Sequence, residues 1–465
     1  MSDAITRKES LLKSIADGTS SALKPITREE QYLAYIAGES KSFPTNPITR
    51  EEAFLDKIAK RGAGGGGSSI NVQPLTVTAN GTFDAPEGQA YDPVIVNVAG
   101  GGGLGGGDTD AVKSLLEGTV AGVFSNNEAT SIKKYTFSEC TDLTSANIPK
   151  AASIGANAFY GCSSLSTVNI PSATTIGAYA FQNCTSLASA DFPTVTSIAT
   201  SAFNGCKNLT NINLPRVTSL GESAFRDCKA LTSADFPLLT SISSSGSAFY
   251  GCSKLTSVNL PNLTSAPYQC FFSCSALTSI SLPSATSCSS YAFQNCTHME
   301  SADFPKFTST GPSSFSACYA LKSINLPVAT SIDNGSFSNC TSLTDVNIPI
   351  ATALNQNAFM SCSVLSRLDC PKVTKISMQV FQGCYSLRTL ILRSNTMCTL
   401  SNTSAFQNCY HYHGTVNATY NPEGLKDGYI YVPRDLVDDY KVATNWSTFA
   451  DQFRAIEDYP EITGG

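Results

Sequence analysis

Charge is scarce in this 465-residue chain: 14% of its residues are charged and the net charge is -6. That leaves no stripe of lysine and arginine to follow a phosphate backbone, and nucleic acid is not expected as a partner. Histidine is scarcer, with three copies, so a histidine-rich metal centre has few places to form. His411 and His413 flank Tyr412; such a pair could bind metal where a symmetric trimer brings three pairs together, or be two surface histidines in a cap. There is no run of 18 apolar residues, hence no expected membrane span. The glycine runs 64–67, 100–103 and 105–107 lack a following Lys-Ser/Thr and read as flexible linkers, not phosphate cradles. No close pair of carboxylates marks a glycosidase cleft. Neither catalysis nor a cofactor is expected.

What the chain has in abundance is one phrase. Phe-x-x-Cys occurs thirteen times between Phe137 and Cys409, mostly 22 residues apart. A fixed period of 20 to 30 residues means one supersecondary unit stacked many times, each copy burying a face it could not bury alone. In the copy opening at Phe159, Leu165, Val168 and Ile170 alternate with Thr167 and Asn169, as a short strand with one face inward does. Pro171 ends the strand at a corner. Ala173 to Ile176 reads as a second extended side, and Ala180 to Cys184 as a tight helical corner. Three copies carry Ala and Phe where most carry Val or Ile and Ile or Leu: Ala190 with Phe192, Ala234 with Phe236, Ala302 with Phe304. Small and large trade places, as in one packed layer of fixed volume.

The seventeen cysteines suit a disulfide scaffold poorly, since the chain is long and the count odd. Thirteen belong to the corner phrase, and Cys270, Cys288 and Cys370 replace inward apolar residues. Stacked free thiols acting as small hydrophobes are the leading reading, over cross-coil disulfides or metal sites; Cys398 falls in an irregular copy.

The Phe-x-x-Cys corner, the Leu-x-x-Val-Asn-Leu-Pro strand and the Thr-Ser-Ile-Gly turn together resemble the BspA-type leucine-rich repeats over roughly 120–409. The resemblance implies a mainly β, curved right-handed solenoid of thirteen coils with a parallel sheet on one side, in a family associated with adhesion and with binding proteins or glycans. The outward strand positions then form a ladder along the concave face: Asn147, Asn169, Asp191, Asn213, Asp235, Asn259, Asp303, Asn325, Asn347 and Asp369, with Ser281 between. These are the candidate binding residues for a cell-surface glycan or protein; alternatively their side chains bond along the ladder and only solvate the sheet. Beside them runs a row from Thr167 through Ser189 and Asn211 to Arg367, and a third, more regular row of threonines runs from Thr174 to Thr374.

The first third is different. Ile5-Thr6-Arg7, Ile26-Thr27-Arg28 and Ile48-Thr49-Arg50 each open a helix, with Thr6, Thr27 and Thr49 as N-caps and Glu9, Glu30 and Glu52 completing capping boxes. Leu12 with Ile15, Leu33 with Ile36 and Leu55 with Ile58 make narrow apolar stripes. Such short helices are marginal alone; they pack together or dock, through Ile5, Ile26, Ile48 and the stripes, on sister chains or a larger assembly. The arm and the Asn80 to Gly88 hairpin resemble segments of virion appendage proteins of tailed phages of gut bacteria. The opening Met-Ser-Asp-Ala-Ile lacks the apolar core of a secretory signal, in keeping with release by lysis.

The expected organisation is a helical docking arm at 1–62, a glycine linker at 63–69, a small β module at 70–99 and a second linker at 100–107. A cap at 108–136, the solenoid at 137–409 and a closing cap at 410–465 follow. The expected function is a virion fibre, homo-oligomeric with a trimer favoured, attached to other virion proteins by its arm and to the host cell by its solenoid. A head fibre or decoration protein and a bacterial surface adhesin are the alternatives.

Overall fold

The computed structural model describes residues 122–127, 129–413 and 427–463. The arm with its docking positions Ile5 to Ile58, the small β module, both linkers and the cap residues Asp108 and Thr109 lie outside the described residues. The rest is a parallel β solenoid, as the repeat predicts. Each coil contributes one strand of mostly three residues, a corner, a second strand of two residues where that side is paired, and a turn carrying Phe-x-x-Cys. Register follows the repeat: Ala146 pairs with Val168 and Ser189 with Asn211 on the first side, Thr175 with Ser197 on the second. The second side pairs without a break from Ser153–Ile154 to Ser241–Ile242.

Packing begins with phenylalanine. From Phe137 to Phe381 the corner rings stack with centroids 5.0 to 6.2 Å apart and planes 4 to 14° from parallel. The corner backbone is hydrogen-bonded from coil to coil beside these rings, as Phe159 N to Ala180 O and Phe181 N to Ala202 O (both 2.7 Å). Phe192, Phe236 and Phe304 are fully buried beside this column, Phe192 lying 5.8 Å from Phe181, while Ala190, Ala234 and Ala302 make room for them. The small-for-large exchange is one of core volume.

All seventeen cysteines are buried, and none is joined in a disulfide. From Cys162 to Cys409 each corner thiol donates to a phenylalanine carbonyl of the preceding coil, as Cys162 does to Phe137 (2.9 Å) and Cys184 to Phe159 (3.1 Å). Burial pushes the thiols up, Cys296 to about 12 and Cys288 to about 11. A thiol held this firmly neutral is a poor nucleophile at neutral pH.

The corners are not helical, contrary to expectation. Two residues per coil adopt left-handed backbone, Tyr179 (φ 60°) and Asn183 (φ 60°) in one, Ser201 and Gly205 in the next. The corner is therefore a chain of turns, with Gln182 N bonded to Tyr179 O and Cys184 N to Phe181 O. Left-handed residues end a right-handed helix before it can propagate.

Both ends are closed. Gly122–Ser125 pairs with Leu143–Asn147, and Phe124 sets its ring edge on Phe137 at 4.7 Å. At the other end, Tyr429–Val432 pairs with Thr389–Leu392 and then with Phe453–Ala455. Trp446, 1% exposed, packs on Phe406, and its indole N–H donates to Cys398 O (2.7 Å). The Tyr440 hydroxyl accepts from Cys398 N, which gives that cysteine its place as the seat of the cap.

Candidate binding face

The ladder residues stand where the repeat predicts, on the outer side of the first-side strands. Asn169 to Asn347 are exposed; Asn147 and Asp369, at the two ends, are half-buried. The side chains bond to one another along the solenoid axis. Asn169 Nδ2 donates to Asn147 Oδ1 (2.7 Å), Asn213 Nδ2 to Asp191 Oδ1 (2.8 Å), Asn259 Nδ2 to Asp235 Oδ1 (2.8 Å) and Asn347 Nδ2 to Asn325 Oδ1 (2.8 Å). Ser281 Oγ donates forward to Asp303 Oδ2 (3.2 Å). Asp369 is held by the Arg393 guanidinium, with Nε 2.9 Å and NH2 2.8 Å away, and by Arg367. Arg367 also donates to Ile462 O, so the C-terminal segment covers this end of the face.

The bonds come in runs, and the backbone explains why. Strand pairing on this side is interrupted between Thr167–Asn169 and Ser189–Asp191, between Asn211–Asn213 and Ser233–Asp235, between Ser257–Asn259 and Ser279–Ser281, and between Asp345–Asn347 and Arg367–Cys370. At three of these steps an Asn is followed by an Asp. An Asn whose amide nitrogen points at the preceding coil turns its carbonyl oxygen toward the next, and a carboxylate can only accept. Two acceptors then face each other, and among the described residues no side-chain bond closes the step. The coils stay joined beside the gap, where Thr232 N donates to Thr210 O at 3.3 Å.

One trough runs beside two of these openings. It has a volume of about 630 Å³ and spans four coils, with Asp191, Asn213 and Asp235 on its surface and Val168, Ala190 and Ile212 beneath. No lysine or arginine lines it.

The threonine row is structural. Thr218 Oγ1 donates to Thr196 O, Thr240 to Thr218 O and Thr352 to Thr330 O, so each hydroxyl reinforces the coil before it.

His411 differs from the surface reading. It is 4% exposed, and its Nδ1 meets the Asp427 carboxylate, with Arg388 Nε 3.4 Å from the same nitrogen. Its backbone carbonyl accepts from Gln452 Nε2 (3.1 Å), so this histidine ties the last coil to the cap. The side chain of His413 lies outside the described residues. Among the described residues, no group of three or more His, Cys, Asp or Glu side chains is placed to hold a metal ion. His411 was singled out by its spacing to His413; its partner Asp427 lies 16 residues on, with no local signal.

A family model for the BspA type leucine rich repeat region matches residues 130–246, 240–365 and 308–421. Among solved structures, a leucine-rich repeat protein from Bacteroides ovatus is 24% identical with a TM-score of 0.54, the match covering 70% of this chain and 88% of that one. A leucine rich cell surface protein from Faecalibacterium prausnitzii is 21% identical with a TM-score of 0.36, over 83% of this chain and 98% of the other. No curated protein matches. The match to the family model spans more than half of the sequence, and the chain belongs to the BspA-type leucine-rich repeat family.

Proposed function

We propose that this protein is a virion fibre that attaches to the particle through its N-terminal arm and binds the host cell surface through the ladder face. The observation that carries the binding half is the face itself: from Asn169 to Asn347 the outward strand positions are exposed and polar, on a rigid scaffold whose stacking contacts are internal. Repeat proteins bind along such faces, and the family is one of binding scaffolds. The attachment half rests on the three Ile-Thr-Arg openings and their apolar stripes, including Ile26, Leu33 and Ile36. These ask for a partner surface, whether sister chains of a trimer or another virion protein.

Two measurements test the two halves separately. Purified phage particles labelled with antibody to this chain should carry it at one kind of appendage; label on bacterial cells and none on particles would replace the fibre with a bacterial adhesin. Replacing Asp191, Asn213 and Asp235 together by Ala should lower host-cell binding at least tenfold with the melting temperature nearly unchanged. Undiminished binding by that variant moves the contact elsewhere, to the corner loops near Ser243 to Ser247 or to the C-terminal cap.

A further inference from the structure

We propose that the trough between Thr167 and Asp235 takes a cationic protein segment that presents two ammonium or guanidinium groups about 10 Å apart, one for each opening in the ladder. The proposal rests on the reading of this face as the binding face and names the chemistry it selects.

Three observations converge. First, the hydrogen-bonding capacity left at the openings is one-sided. At the first opening Asn169 turns its amide nitrogen to Asn147 and so its Oδ1 toward Asp191, whose Oδ1 accepts from Asn213 and whose Oδ2 has no bond among the described residues. At the second, Asn213 has given its amide to Asp191, and its Oδ1 faces Asp235, engaged by Asn259 through Oδ1 alone. Each opening thus sets an amide carbonyl against a carboxylate oxygen, and only a donor placed between them satisfies both.

Second, the charge is uncompensated where it matters. Of the ladder carboxylates, Asp369 is neutralised by Arg393. Asp191 and Asp235 have no such partner, and the trough they share has no cationic side chain. A glycan hydroxyl brings an acceptor with every donor; ammonium and guanidinium bring donors only, with the complementary charge.

Third, the spacing suits one backbone. The openings are two coils apart, about 10 Å, and a polyproline II segment places every third side chain on one face at about 9.3 Å. Such a segment has no internal hydrogen bonds to break and lies along a shallow groove at low entropic cost.

The test uses the full chain and two probe peptides, four repeats of Arg-Pro-Pro and the same peptide with Gln for Arg. The arginine peptide should bind at least tenfold more tightly than the glutamine peptide, with affinity falling as salt is raised. In the double variant Asp191→Asn, Asp235→Asn, each opening becomes an Asn–Asn step like that between Asn147 and Asn169, so the ladder can close. This variant should hold or raise the melting temperature while losing at least tenfold in arginine-peptide affinity. If the pair lowers the melting temperature, the single variants carry the same test. Glu222→Gln, an equal charge change away from the trough, should leave the affinity unchanged. Equal binding of the two peptides, undiminished binding by the Asn variants, or an equal loss with Glu222→Gln overturns the proposal. Should the Asn variants still bind host cells while the Ala variant does not, the ladder face stands as the binding face and its ligand is a neutral glycan.

Discussion

At the position before each corner cysteine, Gly161, Asn183, Gly205, Asp227, Gly251, Ser273, Asn295, Ala317, Asn339, Ser361 and Gly383 all have positive φ. The alternation of Gly with Asn and Asp in the sequence is the signature of that backbone, since these are the residues for which left-handed geometry is least costly. Ala317, at φ 59°, is an exception with no polar side chain to bond its own backbone. Ala317→Gly should stabilise the protein by about 0.5–1 kcal/mol, relief of the left-handed strain exceeding the extra entropy of glycine in the unfolded chain. Gly205→Ala should do the reverse and cost more, because its new Cβ would stand 2.4 Å from Asn183 Oδ1. Urea midpoints of the two variants check both signs.

At the scale of the element, a coil is stable only when covered on both sides, and the last coil depends on the closing module. Trp446 covers Phe406 and bonds to Cys398 O, while Asn445 Nδ2 bonds to Leu400 O (2.7 Å). Trp446→Ala should cost roughly 3–5 kcal/mol. In a stack with nearest-neighbour coupling the loss should be local first. Amide exchange in Leu400 to Cys409 should accelerate well before that in Phe159 to Cys184, and equal acceleration throughout would show the solenoid to be a single cooperative unit. The ladder follows nearest neighbours too: Asn325 bonds with Asn347 and Asp191 with Asn213, whereas strand pairing is interrupted at each of the three Asn–Asp steps.

Across the whole molecule the thiols act together. Burial, first among the causes, raises the folded-state pKa of Cys184, Cys228, Cys274, Cys318 and their neighbours well above 9.0, the ordinary value. Below that value both folded and unfolded chains keep these thiols protonated, and stability does not vary with their titration. Above it the unfolded chain releases protons that the folded chain retains, so stability falls with rising pH until the folded-state values are reached, by about 1.4 kcal/mol per pH unit for each thiol. With fifteen thiols raised in this way, unfolding at mildly alkaline pH should be abrupt. The urea midpoint should be level from pH 7 to 8 and drop steeply above pH 9; a level profile up to pH 11 would mean that the thiols remain neutral in the unfolded chain too.

The period, the inward positions, the buried thiols and the outward polar ladder were all legible in the sequence. A strand alternates by two, and a solenoid repeats one environment per coil, so each position is reported thirteen times over. Asn183 and Gly205 carried the signal of the non-helical corner as well, in a composition that only left-handed backbone explains. Tertiary structure alone decided what depends on contacts without a local pattern. Asp369 is lost to the open face because Arg393 reaches back to it across 24 residues. His411 is buried because Asp427 and Gln452 close over it from the cap. The openings beside the trough arise because the direction in which each Asn turns its amide is settled between neighbouring coils, and only stacking fixes which neighbour its nitrogen meets.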